Sequence, residues 1–416
     1  MRLLVGRIGR AHGILGEATI EVRTDEPDRR FAIGATVQTD SIGELKVISG
    51  RVHNGILLLG FEGISDRNSI EKLRNTLLYA DVDINETNNE DEYHVMQLIG
   101  CTAVLESGAA FGEIMTGSAH HAEMGAFLAL LARRLPTVDE LAGAATVMRK
   151  HATTFATSID TAKILDTAGT GGAPKTFNVS TLAAIVAASA GAFVAKHGNR
   201  SRTGRGSAEV LDALGVKVDA TGLIQRRCLE EAHVAFCFAP NHHPAARHAM
   251  PVRKTLGFPT IFNLLGPLTN PVNARRQAIG VYDRSFVPLI AEVLRELGAV
   301  RAVVYHGMDG LDEMTTGAAT LVAEVKHDAQ GGSVRVYETT PELLGITRVN
   351  PLSIAPENLD AATKLFTDVL ENCAPRAARD MTLINAAAAL LAAGIVDDLR
   401  GGVAVAQSVL ISGAAR

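Results

Sequence analysis

The 416-residue sequence has no tryptophan, and its aromatic residues make up only 4% of the chain. So few aromatic rings argue against the stacking platforms that single-stranded nucleic-acid binders use. The four cysteines are scattered without a CxxC pair, so the spacing predicts neither a zinc site nor a disulfide framework. The net charge of −5 excludes an overall basic field of the kind that attracts nucleic acid.

Long apolar runs are also missing. The longest, STLAAIVAASAGAFVA, ends at Lys196 and falls short of the roughly 18 residues that a membrane helix needs. The first residues, MRLLVGRIGRAH, lack the apolar core of a secretion signal. We therefore expect a cytoplasmic protein that does not span a membrane.

The chain is long enough for two or three domains and changes character along its length. Residues 1–86 contain short β-rich segments separated by Gly, Asn, Asp and Pro, which predicts a small β-barrel. Residues 87–114 combine a polar, acidic linker with two strand-like pieces. From residue 115 to residue 416 we expect a helical subdomain, covering about 115–160, and then an α/β domain from about 164.

The helical subdomain is predicted from periodicity and from a capping signal. Met124, Phe127, Leu128, Leu131 and Leu135 recur at helical spacing. A capping box follows, because TVDE places Glu three residues after Thr. Beyond residue 164 strand-like and helix-like segments alternate, which indicates a largely parallel sheet covered by helices.

A glycine loop, AGTGGAPKTFNVS, separates a strand-like segment from an Ala-rich helix. Glycines let backbone N–H groups approach a ligand, and a helix N-terminus favours an anion. The pattern is therefore typical of a phosphate site, although an ordinary capped turn has a similar sequence. The loop is not a Walker loop, because it lacks the Gly-Lys-Ser/Thr ending.

A basic loop follows the next strand, where AKHGNRSRTGRGSAEVL interleaves cationic residues with glycines. Ligands of open α/β sheets bind at the carboxyl ends of the strands, so two such loops in succession favour a polyanionic ligand. Asp312 and Glu313 come just after a third apolar strand and suit Mg²⁺ shared with phosphate oxygens. Arg253 precedes a Pro- and Gly-rich stretch and could pair with a carboxylate substrate.

Together, GTGG…TFNVST, KHGNRS…GSAEVLDALG, VRKTLGFPTIFNLLGPLTNP and HGMDGLDE closely resemble the motifs of the anthranilate phosphoribosyltransferase family, from about residue 115 to the C-terminus. The resemblance implies a fold of the nucleoside phosphorylase and phosphoribosyltransferase type. It also implies a homodimer and, in tryptophan biosynthesis, transfer of the phosphoribosyl group of phosphoribosyl pyrophosphate (PRPP) to anthranilate.

The resemblance also assigns roles to residues, none of them as a catalytic acid or base. PRPP contacts would come from Gly169, Gly172, Thr176, Asn178, Val179, Ser180, Thr181, Lys196, His197, Gly198, Asn199, Arg200, Ser201 and Ser207. Anthranilate would meet Gly169, Asn199 and Arg253. The cofactor Mg²⁺ would be bound by Ser180, Asp312 and Glu313. We interpret the histidine pairs His120-His121 and His242-His243 as structural or solvent-facing.

The N-terminal segment VGRIGRAHGILGEATIEVRTDEPDRRF resembles the RimM family of ribosome maturation factors, and EYHVMQLIGCTAVLESGAAFGEI resembles the start of that family's second domain, a PRC barrel, which breaks off near Ile114. The resemblance implies contact with a small-subunit ribosomal protein. Acidic residues outnumber basic ones in residues 1–90, so direct RNA binding is not favoured.

Two other functions stay open. One is an enzyme similar to pyrimidine-nucleoside phosphorylase, which shares the broad fold. The other is a ribosome-assembly protein with an inactive transferase domain, because the chain departs from the transferase motifs. Ala173 and Pro174 stand where the transferase family has Asp and Gly, both loops are one residue short, and strand-like residues replace the family's first helix.

Overall fold

The computed structural model describes residues 2–14, 16–24, 26–53, 55–81, 109–174, 176–201, 203–328 and 331–416. The chain forms two compact units, Met1–Thr102 and Ala103–Arg416. None of the helices in these described ranges is long and apolar enough to cross a membrane.

Within its described residues, the first unit is a closed antiparallel barrel with the strand order β1-β2-β5-β4-β3-β6. The strands are β1 (Arg2–His12), β2 (Glu17–Val22), β3 (Thr36–Thr39), β4 (Glu44–His53), β5 (Ile56–Phe61) and β6 (Leu77–Asp81), with short helices α1 (Pro27–Arg30) and α2 (Arg67–Lys72). Inward residues such as Ile20 alternate with outward ones along β2, as expected for strands with one buried face. The predicted barrel is confirmed, and β1 closes it by pairing with both β2 and β6.

The second unit combines helices with one large sheet. In chain order its elements are α3 (Ala109–Thr116), α4 (His121–Ala132), α5 (Val138–Lys150), β7 (Ile164–Gly169), α6 (Val179–Ser189), β8 (Phe193–Gly198), α7 (Ser207–Ala213), α8 (Gly222–Glu231), β9 (Val234–Phe238), α9 (Ala239–His242), α10 (Met250–Leu256), α11 (Ile261–Leu268), β10 (Arg276–Gly280), α12 (Phe286–Glu296), β11 (Arg301–Gly307), β12 (Thr320–Asp328), β13 (Gly331–Thr339), α13 (Leu359–Leu370), α14 (Arg376–Ala393) and α15 (Leu399–Ser412).

The predicted helices of the subdomain are confirmed. Met124, Leu128 and Leu131 are buried on one face of α4, whereas Leu135 lies beyond the end of the helix and is half exposed. The capping box of α5 is complete: the Glu140 N–H donates to Thr137 Oγ1 at 3.2 Å, and the Thr137 N–H donates to Glu140 Oε2 at 2.8 Å.

The strand-like interpretation of residues 87–114 is wrong at its C-terminal end, because α3 is a helix from Ala109 onward. Phe111, Ile114 and Met115 are spaced for one face of a helix and are buried in the same core as α4 and α5. The neighbouring Ser-Gly pair suggested a turn between strands and masked this period. The linker and the rest of the strand-like pieces lie in residues 82–108, outside the described residues.

The sheet has the order β13-β12-β11-β10-β7-β8-β9. The strands from β11 to β9 in that order are parallel, while β12 and β13 form an antiparallel hairpin at one edge. The predicted largely parallel sheet is therefore confirmed. Because parallel strands end at the same edge, the glycine loop after β7, the basic loop after β8 and the carboxylates after β11 are brought to one side of the sheet.

Candidate active site

A cavity of about 930 Å³ lies at the carboxyl ends of these strands. Its wall includes residues of the glycine loop, the basic loop and the start of α6, together with the carboxylate pair Asp312 and Glu313. Arg253, Phe262 and Asn263 of α10 and α11 line it as well. Three motifs predicted separately from the sequence thus border one space.

The glycine loop is tied to the neighbouring strands. The Thr170 N–H donates to the Gly280 carbonyl at 3.0 Å, and the Gly171 N–H donates to Asp312 Oδ2 at 3.1 Å. Gly171 and Gly172 have φ values of +64° and +99°, which side chains other than glycine rarely adopt. The loop therefore keeps its course only with these glycines, and one of its amides is already engaged by a carboxylate of the predicted metal site.

The start of α6 is linked to the basic loop. Asn178 occupies the N-cap position, and its Nδ2 donates to the Arg205 carbonyl at 3.1 Å. Thr181 Oγ1 donates to Ser207 Oγ at 2.8 Å. Asn178 Oδ1 is buried and has no hydrogen-bond partner among the described residues. An orphaned acceptor beside a helix N-terminus suits a ligand with both a hydroxyl group and negative charge.

Lys196 lies at the centre of the site with only 3% of its surface exposed. Its ammonium group donates to the Thr167 carbonyl and, at 3.2 Å, to Ser180 Oγ. Burial lowers the pKa of Lys196 to about 8, while Asp166 and Glu313 oppose this shift. The ammonium group therefore remains mostly charged at neutral pH and orients the Ser180 hydroxyl.

The buried carboxylate of Asp166 is hydrogen-bonded to the end of β8. Its Oδ1 accepts the His197 N–H at 2.9 Å, and its Oδ2 accepts Asn270 Nδ2 at 2.9 Å. Burial raises the pKa of Asp166 to about 6, although Asn270 and Lys196 favour its charged form. At neutral pH the carboxylate is ionised and fixes the strand from which the basic loop emerges.

Two buried histidines line the cavity. The rings of His197 and His243 lie 4.9 Å apart between centroids, and His197 Nδ1 is 3.0 Å from the Gly266 carbonyl. Burial lowers the pKa of His197 to about 3 and that of His243 to about 4. Both rings are neutral at physiological pH, so they shape the cavity without adding charge.

Arg253 lines the cavity beside an aromatic ring and a methionine. Its guanidinium stacks over the Phe262 ring, 5.0 Å from the centroid, and Nη1 lies 3.8 Å from the Met250 sulfur. Neither neighbour is an acid, and no ion pair of Arg253 occurs in the described residues. A carboxylate ligand would find a positioned cation here.

Most of the residues assigned by resemblance line this cavity. These are Gly169, Gly172, Thr176, Asn178, Ser180, Lys196, His197, Gly198, Asn199, Arg200, Ser201, Ser207, Arg253, Asp312 and Glu313. Two do not. Val179 packs against Leu311 and Met381, and Thr181 is buried with its hydroxyl bonded to Ser207. Pro174 lines the cavity, whereas Ala173 does not.

The donors available for a metal ion are hard oxygens. Ser180, Asp312 and Glu313 border the same cavity. Within the described ranges, no group of three or more His, Cys, Asp or Glu side chains could hold a metal. This donor set fits Mg²⁺, which is commonly bound by one or two carboxylates together with substrate phosphates.

Sequence reasoning missed several residues of the site. His243 was interpreted as structural or solvent-facing but lines the cavity, and Asn270 contacts Asp166 across 104 positions of the chain. The sequence carries no local signal for a contact between residues so far apart. The available hint was that His243 precedes a proline in the segment that follows β9, with the short helix α9 between them.

The comparisons with known proteins agree with this geometry. The α/β domain model of the Glycosyl transferase family matches residues 161–416, and the helical bundle domain model of the same family matches residues 105–152. The chain is 48% identical over 313 residues to the anthranilate phosphoribosyltransferase of Anaeromyxobacter sp. (strain K), covering 75% of this chain and 90% of the relative. The chain belongs to the anthranilate phosphoribosyltransferase family.

Two further anthranilate phosphoribosyltransferases are similar to the chain over most of their length. The anthranilate phosphoribosyltransferase of Methylobacillus flagellatus is 45% identical over 305 residues, covering 73% of this chain and 88% of that protein. The crystal structure of the Thermus thermophilus enzyme matches with a TM-score of 0.70 and 36% identity, over 77% of this chain and 95% of that one.

The Saccharomyces cerevisiae enzyme in complex with PRPP and Mg shares the fold, with a TM-score of 0.66 and 24% identity over 74% of this chain and 89% of that one. At the N-terminal end of the chain, residues 3–84 match the RimM N-terminal domain model.

Proposed function

We propose that the chain transfers the phosphoribosyl group of PRPP to the amino group of anthranilate and releases pyrophosphate, a step of tryptophan biosynthesis. The observation that carries the proposal is the single cavity in which a glycine loop, a basic loop, a carboxylate pair and an arginine stacked on an aromatic ring meet. The family of the chain and its relatives' names support the same reaction.

PRPP would lie along the polar wall of the cavity. The glycine loop and the N-terminus of α6 suit its phosphate groups, and the orphaned Asn178 Oδ1 would accept a hydrogen bond from a ribose hydroxyl. Lys196 fixes the Ser180 hydroxyl by its 3.2 Å hydrogen bond, so that this group is oriented before the substrate arrives.

Mg²⁺ would be held by Ser180, Asp312 and Glu313 together with oxygens of PRPP. Bound there, it would supply positive charge to the diphosphate as that group leaves. Asp312 also accepts the Gly171 N–H, so the position of the glycine loop depends on the same carboxylate.

Anthranilate would lie at the Arg253 part of the wall, with its carboxylate paired to the guanidinium and its ring near Phe262 and Pro267. In the reaction the bond from ribose C1 to the diphosphate oxygen breaks, a bond from C1 to the anthranilate nitrogen forms, and the nitrogen loses one proton. Because the amine is already a nucleophile, orienting the two substrates contributes more than a strong base would.

The decisive assay follows the PRPP-dependent loss of anthranilate fluorescence with the purified chain and Mg²⁺. The proposal predicts steady turnover that stops without PRPP. Thymidine phosphorolysis without PRPP consumption would favour the phosphorylase alternative. Absence of either activity, together with co-sedimentation with small ribosomal subunits, would favour the ribosome-assembly alternative.

The two units suggest three further properties of the protein. The family resemblance supports a homodimer, and the RimM N-terminal match supports contact between the barrel and a small-subunit ribosomal protein. We also propose that the protein works in the cytoplasm, where both ribosome maturation and amino-acid biosynthesis take place.

A further inference from the structure

We propose that Arg205, which is absent from the PRPP contacts that the family resemblance implies, provides a cation that binds a phosphate group of PRPP in this chain, whereas the resemblance names only Arg200 of the same loop among those contacts. The inference rests on the proposed function for the identity of the ligand. The geometry that supports it concerns only how the two arginines of the basic loop are held.

The guanidinium of Arg200 already has an acidic partner, although Arg200 also lines the cavity. Its Nη2 lies 2.6 Å from Asp212 Oδ2 of α7, and its guanidinium lies 5.7 Å from the centre of the Phe238 ring. Its side chain is 52% exposed. A guanidinium that is paired and solvated gains less from a phosphate than an unpaired one, because its existing bond must first be given up.

Arg205 is in the opposite situation. It lines the cavity and is half-buried, and among the described residues its guanidinium makes neither an ion pair nor a hydrogen bond. Burying a charged group without a partner is unfavourable, so such groups commonly belong to a binding site that a ligand completes.

The backbone of Arg205 is held by two hydrogen bonds. Its N–H donates to Ser201 Oγ at 3.1 Å, and its carbonyl accepts Asn178 Nδ2 at 3.1 Å. These bonds place Arg205 next to the N-terminus of α6, an 11-residue helix whose first turn contains no acidic residue. Arg205 and the N-terminus of α6 are therefore neighbours, and both line the cavity.

A second observation at this place points to the class of ligand. Asn178 is 8% exposed, and its Oδ1 lacks a donor among the described residues. An orphaned acceptor calls for a hydroxyl group, and the unpaired guanidinium calls for an anion. A sugar phosphate carries both groups on neighbouring atoms.

An acidic residue of α7, beside the basic loop, already has a partner. Glu209 accepts the Ser201 N–H at 3.0 Å. It thus stabilises the loop backbone and leaves the Arg205 guanidinium for the ligand.

The test compares Arg205→Ala and Arg205→Lys in the full chain. The Michaelis constants for PRPP and anthranilate come from the fluorescence assay, and the affinities for pyrophosphate and ribose 5-phosphate come from calorimetry with Mg²⁺. Arg205→Ala is expected to weaken PRPP and at least one of the two phosphate probes about 10- to 100-fold, the range of a charge-assisted hydrogen-bonded pair. The probe that loses more affinity identifies which end of PRPP Arg205 binds.

Four comparisons separate this role from a structural one. The Michaelis constant for anthranilate should stay unchanged, and Arg205→Lys should recover most of the lost affinity because the charge returns. Arg200→Ala should weaken PRPP less than Arg205→Ala does. Arg227→Ala, an exposed arginine of α8 paired with Glu231 and outside the cavity, is the matched control and should leave every constant unchanged.

Unchanged affinity of Arg205→Ala for both phosphate probes would overturn the proposal, and so would a larger loss in Arg200→Ala. If the wild-type chain consumes no anthranilate but Arg205→Ala still loses phosphate affinity, the proposed function fails and the assignment of Arg205 as an anion-binding residue stands.

Discussion

The barrel and the transferase unit place their polar side chains differently. In the barrel, ion pairs such as Arg7–Glu21 lie on the surface, with side chains 42% and 44% exposed, and the buried polar residues among those described are Thr39 and Thr76. In the transferase unit, Asp166 and Lys196 are almost completely buried. Exposed ion pairs contribute about 0–1 kcal/mol each, whereas buried charges are costly unless they are well paired.

This difference indicates where the chemistry takes place. Burying Lys196 and Asp166 costs solvation free energy that an apolar core would not lose. Both groups have pKa values shifted by burial, and ionisable groups with shifted pKa values cluster at functional sites. In the barrel, the charged side chains of the described ion pairs lie at or near the surface. Four variants, taken from the largest to the smallest expected effect on turnover, sharpen this comparison.

The largest effect is expected for Asp312→Asn. It removes a charged oxygen from the proposed metal site and weakens the acceptor of the Gly171 N–H. We expect turnover to fall on the order of 10³-fold, as when a group that stabilises transition-state charge is lost. Asp283→Asn, beyond β10 and outside the cavity, is the control; equal losses in the two variants would refute a specific role for Asp312.

A smaller effect is expected for Arg253→Ala. The loss of a guanidinium that pairs with a carboxylate should raise the Michaelis constant for anthranilate about 10- to 100-fold and leave that for PRPP nearly unchanged. Steady-state kinetics measure both constants. The neighbouring exposed Lys254→Ala serves as control, and equal effects of Arg253→Ala on both substrates would contradict the pairing.

The buried His243 should make the transferase unit sensitive to acid. Burial lowers its folded-state pKa to about 4 from the usual 6.5, so between these pH values the unfolded chain binds a proton that the folded chain does not. Stability is therefore lost as the pH falls from 6.5 towards 4, on the order of 3 kcal/mol at about 1.4 kcal/mol per pKa unit.

Denaturant unfolding at several pH values tests this expectation. His243→Asn should flatten the rise of the unfolding free energy with pH in this window, while the exposed His121→Asn should not. Burial raises the pKa of Asp166 to about 6, so Asp166 changes the pH dependence of stability in the opposite direction to His243. Because both variants keep Asp166, its contribution does not affect their comparison. An unchanged slope in His243→Asn would show that His243 titrates normally.

The smallest effect on turnover is expected for Phe61→Ala in the barrel. Phe61 is fully buried in a core formed by barrel residues alone, and its truncation should cost the barrel about 3–5 kcal/mol. Phosphoribosyl transfer should persist at the wild-type rate, with the exposed Ile33→Ala as control. If Phe61→Ala loses turnover together with barrel stability, the activity of the transferase unit depends on the barrel, and the two units are not functionally separate.

The sequence predicted those features that depend on neighbouring residues. The capping box at Thr137, the barrel strands and the loops after β7 and β8 follow from short-range patterns. The topology then brings these loops to one edge, because parallel strands end on the same side.

The features that the sequence did not predict depend on distant contacts. Asp212 of α7 pairs with Arg200, and Asn270 donates a hydrogen bond to Asp166 from 104 positions along the chain. Helix α3 was missed because its eight residues follow a Ser-Gly turn signal, and tertiary packing of Phe111 outweighed that local signal.

The most direct test of the account is calorimetric titration of the intact chain with PRPP in the presence of Mg²⁺. We expect saturable heat of binding with the wild-type chain, which disappears when Mg²⁺ is chelated and is strongly reduced in Asp312→Asn. If folded wild-type protein in a solution that contains Mg²⁺ gives no heat on addition of PRPP, the proposed PRPP site is wrong.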